Sequence, residues 1–203
     1  MAAGSIDDVG ALRKRWATAR RRKILNKLIG QRSFLDFAPA KEDWLDDPTL
    51  IKDFRGVDLS ARDLFDFLLM NADIRWADFS RSRIEGQFQH TTLSYSSFQH
   101  TSLTGCGFWK AKLTHCKFDH AQVRRGIFEE SDAYGASFRQ ALLVDTRFHS
   151  TDLRNVDFSG ARLEGCVFEQ VKLNGAERAL WESHGAAQCR LEDVEWCEEA
   201  LAD

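Results

Sequence analysis

From Phe88 to Leu173 a large apolar residue recurs at every fifth position without a gap. The series is Phe88, Leu93, Phe98, Leu103, Phe108, Leu113, Phe118, Val123, Phe128, Ala133, Phe138, Leu143, Phe148, Leu153, Phe158, Leu163, Phe168 and Leu173, with Ala133 its one undersized member. A period of five fits neither the helix period of 3.6 nor the strand period of two, so no single ordinary element puts these side chains on one face. A run in another phase precedes it (Phe54, Leu59, Leu64, Leu69, Ile74, Phe79 and Ile84), and a step of four residues joins Ile84 to Phe88. Two residues before each large position sits a small one, from Ser96, Thr101 and Cys106 through to Cys166 and Val171. The other three positions of each five are mostly charged, polar or Gly, as expected of side chains facing water.

A chain that bends by a constant amount after every five residues can aim each large residue and its small companion at one axis, which predicts a solenoid of stacked coils. Within the large series Phe recurs every ten residues, so opposite sides of a coil are alike and adjacent sides differ. A four-sided coil of 20 residues satisfies this. It places Phe88, Phe108, Phe128, Phe148 and Phe168 in one stack and Phe98, Phe118, Phe138 and Phe158 in the opposite one, and these nine rings are the expected structural core.

Composition refines the picture. Fifteen Phe against two Tyr means that aromatic residues are used for packing, and two Pro among 203 residues exclude collagen-like order. No apolar stretch of about 20 residues occurs and no secretory leader is evident, so a cytoplasmic protein is expected. Cys106, Cys116 and Cys166 fall in the small column, Cys189 and Cys197 lie beyond it, and no CxxC occurs. The cysteines therefore read as reduced, small apolar residues, with neither a disulfide framework nor a zinc site.

The segments "GVDLS", "NADIR", "WADFS", "STDLR", "NVDFS" and "GARLE" resemble the pentapeptide-repeat family, whose pattern is A(D/N)LXX, over about Phe54 to Leu173. The resemblance implies an all-β solenoid, a right-handed quadrilateral β-helix, spanning residues 51–176. "SARDLFDFLLMNADI" departs from the pattern, because Arg62 and Phe67 stand where small residues belong, and a distorted or partly helical first coil is expected there.

Helical segments are expected at both ends. Residues 1–50 form a basic cap or arm: Leu12 to Arg32 carries nine Lys or Arg and no acidic residue, with Val9, Leu12, Trp16, Leu25 and Leu28 at helical spacing. A cap on the first coil is the preferred reading, with contact to an anionic membrane surface, nucleic acid or an acidic partner as the alternatives. Residues 177–203 hold eight acidic and two basic residues, with Leu180, Ala187, Leu191, Val194 and Leu201 at three- and four-residue steps. They read as an acidic helical cap, with a homodimer contact as another use.

No GxSxG, HExxH, Walker or GxGxxG motif occurs, so neither an enzyme nor a bound cofactor is expected, and no catalytic, cofactor or metal residue is assigned. His90, His100, His115, His120 and His149 occupy outward positions and read as a solvated row. Function then falls to the outer surface. The family resemblance implies two uses, a protein-binding scaffold or a DNA-mimicking modulator of DNA gyrase or topoisomerase IV that gives quinolone or antibiotic self-resistance. Residues 51–176 carry 16 basic and 16 acidic side chains, which favours the scaffold because a DNA mimic needs sustained negative columns. Trp109, Ile127, Leu142, Val144 and Val167 are apolar at outward positions and form the candidate surface for a protein partner.

Overall fold

The computed structural model describes residues 6–17, 53–174 and 189–198, and its body is a parallel β-solenoid of about six turns. Successive coils pair in parallel at a spacing of 20 residues, for example Gln122 with Leu142, Ile127 with Arg147, Lys112 with Asp132 and Lys117 with Ser137. These four ladders define four faces. Phe54, Ile74, Leu93, Leu113, Ala133, Leu153 and Leu173 point inward from the first, and Leu59, Phe79, Phe98, Phe118, Phe138 and Phe158 from the second. Leu64, Ile84, Leu103, Val123, Leu143 and Leu163 line the third, and Leu69, Phe88, Phe108, Phe128, Phe148 and Phe168 the fourth.

The two phenylalanine stacks stand as expected. Rings 20 residues apart lie nearly parallel, with centroids 4.7 Å apart for Phe98 and Phe118, 4.6 Å for Phe118 and Phe138, and 4.7 Å for Phe108 and Phe128. The stacks meet edge to face across the interior, at 6.1 Å between Phe118 and Phe128. Stacked and T-shaped contacts are the arrangements a ring quadrupole favours, so a ring such as Phe118 has partners above, below and opposite. All nine are fully buried except Phe158, which is half-buried.

The corners explain the outward residue choice. Apart from Gly86 at the bulged coil, the second residue after an inward large one takes a left-handed backbone conformation, as at Asn71 (φ 55), His90 (φ 54), His120 (φ 59), Asp145 (φ 51) and Gly160 (φ 68). That conformation costs an ordinary L-residue about 1–2 kcal/mol, and Gly, Asn, Asp and His tolerate it best. Four of the five outward histidines (His90, His100, His115 and His120) sit at such corners, so local backbone geometry accounts for them.

The missing residue is absorbed in the first coil. Asp63 and Leu64 pair with Arg83 and Ile84, but Phe67 and Leu68 pair with Gly86 and Gln87, so the strand Asp63–Leu68 carries a bulge. Phe67 turns inward, buried beside Phe79 and Phe88, while Arg62 stays exposed. The first coil is bulged and not helical, because Phe67 occupies the volume that the deleted step would leave.

Helix α1 (Ile6–Arg15) lies over the start of the tube. Leu12 and Trp16 are buried, Trp16 stacks on Phe54 at 5.9 Å, and its Nε1 donates to the Arg55 carbonyl at 2.9 Å. The helix starts earlier than the expected Leu12–Arg32 segment, of which 18–32 lies outside the described residues. No described helix is long and apolar enough to cross a membrane.

At the other end the structure corrects the expected acidic helix. Within 177–203, residues Cys189–Glu192 and Glu195–Cys197 are strands: Leu191 pairs with Phe168 on the fourth face and Trp196 with Leu173 on the first. Cys189 and Leu191, then Val194 and Trp196, repeat the small-then-large spacing, so their side chains fit the tube end. The backbone of the preceding coil supplies hydrogen bonds, from Gln170 N to Glu192 O at 2.9 Å and to Val171 O from Glu195 N at 2.8 Å. A lone helix would satisfy its own backbone but leave the tops of Phe168 and Leu173 without these partners. The remainder of 177–203 lies outside the described residues.

Candidate interaction surfaces

The structure places Trp109, Ile127 and Val167 on the fourth face and Leu142 and Val144 on the third, yet it does not join them into one apolar patch. Arg147 stands between Ile127 and Val167 in their ladder. Leu142 is flanked by Gln122 and Arg162, and Val144 by Arg124 and Glu164. Trp109 is engaged by its own surface: its ring lies 4.6 Å from His90 and 4.7 Å from the Lys110 ammonium, and Nε1 donates to Glu130 at 3.2 Å. The hydrogen bond from Trp109, with Lys110 beside it, holds the Glu130 carboxyl below its ordinary value. Ile127 is the most exposed of the five at 43%.

A surface that the sequence reading missed runs along the edge between the first and second faces. Trp76 and Tyr95 stack at 6.0 Å, Tyr95 and His115 at 5.1 Å, and His115 meets Tyr134 edge to face at 6.0 Å. Arg75 lies 5.0 Å from the Trp76 ring and Arg154 5.8 Å from that of Tyr134, while Asn155 Nδ2 donates to the Tyr134 hydroxyl at 2.6 Å. Tyr95 is 46% exposed. Stacking on a neighbouring coil holds these rings in place without burying them. The signal was present in the sequence as aromatic residues recurring at outward positions 19 and 20 apart (Trp76, Tyr95, His115).

Elsewhere many outward charges are paired. Asp53 and Arg55, Asp73 and Arg75, and Asp152 and Arg154 form pairs two residues apart, because both flanks of an inward residue point outward. Arg139 with Asp157, Arg162 with Glu164 and Arg190 with Glu192 extend the pattern. Partial burial pushes the Asp152 carboxyl up, but the Arg154 guanidinium outweighs it and leaves the pKa lowered. Such exposed pairs contribute only about 0–1 kcal/mol each, yet they remove net field from the wall.

Cys106, Cys116 and Cys166 lie in the small column as expected. Burial pushes the Cys106 and Cys116 thiols up to about 12, which suppresses the reactive thiolate. Cys189 is different: it is half-buried and paired in register with Cys166, and that neighbouring thiol lowers its pKa to about 7. Among the described residues no three His, Cys, Asp or Glu side chains converge as metal ligands would.

The five-residue columns, the 20-residue ladders and the left-handed corners are joined by a family-model match, the pentapeptide repeat region, over residues 101–177. Residues 101–177 are thus similar to the pentapeptide repeat family. Among solved structures, the chain is similar to a trypsin-treated form of QnrB1, a plasmid-mediated fluoroquinolone resistance protein. That match is 15% identical, covers 71% of this chain and 81% of the other, and has a TM-score of 0.43. A pentapeptide repeat protein from the Arabidopsis thaliana thylakoid lumen is 23% identical over 63% of this chain and 76% of its own, with a TM-score of 0.32. HetL of Nostoc sp., involved in heterocyst differentiation regulation, is 14% identical over 77% of this chain and 93% of its own, with a TM-score of 0.28. No curated protein matches the chain.

Proposed function

We propose that this protein is a non-enzymatic protein-binding scaffold that engages its partner through the outer faces of the tube, with the edge of Trp76, Tyr95, His115 and Tyr134 as the principal contact line. The observation that carries this reading is the exposed aromatic ladder on a body whose interior is filled by stacked rings. Tyr95 and Tyr134 present amphipathic surface already held in place, so little side-chain entropy is lost on binding, and Trp, Tyr and Arg are the residues favoured at binding hot spots. The distribution of charge speaks against DNA mimicry. Lys112 interrupts the row of Asp73, Asp132 and Asp152, Lys117 interrupts that of Asp78 and Asp157, and arginines neutralise several of the remaining carboxylates.

The test places a photo-cross-linking amino acid at Tyr95 in host cells and compares capture with the same probe at Glu85 on another face. Partner capture from position 95, abolished by Trp76→Glu with an unchanged melting temperature, is the expected result. Equal capture from both positions, or capture insensitive to Trp76→Glu, overturns the assignment. A gyrase supercoiling assay with and without quinolone, altered by substoichiometric protein, would instead establish the DNA-mimic mode.

A further inference from the structure

We infer that the corner between the third and fourth faces, built from Arg124, Arg125, Ile127, Val144 and Arg147, docks an acidic protein segment that carries aliphatic side chains among its carboxylates. The inference rests on the scaffold reading above and adds the chemistry of a partner. Two adjacent coils build the corner, in which Arg124 pairs with Val144 and Ile127 with Arg147, so guanidinium and aliphatic side chains alternate both along each coil and between coils.

Several cations of the wall lack an ion pair among the described residues, Arg62 and Arg81 included, but this corner gathers three of them around one exposed aliphatic side chain. Arg55, Arg75, Arg139, Arg154, Arg162 and Arg190 each have a carboxylate within ion-pair distance. Among the described residues Arg124, Arg125 and Arg147 have none, and all three are exposed. The reason is visible at Asp145, the corner residue of the next coil. A β-carbon added at Gly165 would lie 2.6 Å from Asp145 Oδ1, so that carboxylate leans over Gly165, away from Arg125. On the opposite side of Arg125 the corner residue is Gly105, where an added β-carbon would meet nothing within 4 Å, so an approaching chain has room at backbone level.

The alternation decides the kind of partner. Ile127, 43% exposed beside three unpaired guanidinium groups, suits a ligand that offers carboxylates and apolar groups in turn. A nucleic-acid strand fits less well, because Asp145, Glu129 and Glu164 border the arginines and would face a continuous polyphosphate.

The test is fluorescence anisotropy with a short labelled peptide of Asp, Glu and Leu, a matched peptide of Asn, Gln and Leu, and a labelled single-stranded oligonucleotide. The expected result is saturable, salt-sensitive binding of the acidic peptide to the full chain. Affinity should fall about tenfold or more in Arg124→Glu with Arg147→Glu, and also in Ile127→Asp, but stay unchanged in Lys112→Glu with Lys117→Glu, which reverses as many charges elsewhere. The neutral pair Arg124→Gln with Arg147→Gln gives the same ordering should charge reversal disturb folding. Absence of saturable binding, equal losses in the control variant, equal binding of the amide peptide, or tighter binding of the oligonucleotide each overturn the inference. If the peptide fails while Tyr95 still cross-links a partner, the scaffold reading stands and this corner falls.

Discussion

Gly86 packs directly beneath the backbone of Phe67, so close that a β-carbon on Gly86 would stand 2.1 Å from the Phe67 carbonyl oxygen. The contact exists because the second coil is one residue short at this corner and Phe67 of the bulged strand folds over it. The obstructing atom is backbone, so no rotamer change relieves it. Gly86→Ala should therefore destabilise by about 1–3 kcal/mol, or roughly 2–12 °C in Tm. Thermal unfolding followed by circular dichroism checks this, and an unchanged Tm would mean that the bulge re-forms elsewhere.

The position of a ring along the tube should set the cost of losing it. Phe118 is fully buried, with Phe98 and Phe138 above and below at 4.7 and 4.6 Å. Phe158, in the same stack, is half-buried and stacks on Phe138 at 5.2 Å. Phe118→Ala should cost about 3–5 kcal/mol and Phe158→Ala clearly less. Urea unfolding of the two variants measures the difference, and equal losses would show that stability does not follow burial along the stack.

Ala133 lies between Leu113 and Leu153 on the first face, and the tube does not narrow to fit it. The edge-to-face distance between Phe128 and Phe138 is 6.1 Å, the same as between Phe118 and Phe128 one step earlier. Beside it, Ser131 Oγ is buried with no hydrogen-bond partner, whereas the equivalent Thr151 hydroxyl donates to the Phe128 carbonyl at 2.7 Å. Ala133→Leu and Ser131→Ala should each leave Tm unchanged or raise it, while Thr151→Val should cost about 1 kcal/mol. A drop of several degrees in Ala133→Leu would show that the interior is already closed at that level.

The cysteines should react in a fixed order. With its pKa lowered to about 7, Cys189 is partly thiolate at neutral pH, whereas the buried thiols of Cys106 and Cys116 stay protonated. Iodoacetamide labelling followed by peptide mass spectrometry should modify Cys189 first and reach Cys106 and Cys116 only on unfolding. The rate at Cys189 should climb between about pH 6 and 8 and lose its low-pH onset in Cys166→Ala, which removes the neighbouring thiol. Early labelling of Cys106 would contradict the packed interior.

Most of the architecture was legible in the chain because the repeat is a local code. Every coil uses the same bend, so an inward large residue and its small companion recur at fixed steps, and the Phe alternation of ten residues by itself assigns Phe118 and Phe138 to one stack. The same regularity misled where it was interrupted. After Leu173 the columns resume only at Cys189 and Leu191, out of step with what precedes them, and the three-residue step from Leu191 to Val194 resembles a helix until Phe168 and Leu173 are seen to offer strand partners. The outer surface was hidden for a different reason. Inward positions meet the same neighbours in every coil, so their chemistry can be read from period alone. An outward side chain is free to lean up, down or sideways onto residues about 20 positions away, and only the folded tube decided that Asp145 turns to Gly165 instead of Arg125, that Tyr95 stacks between Trp76 and His115, and that Arg147 separates Ile127 from Val167.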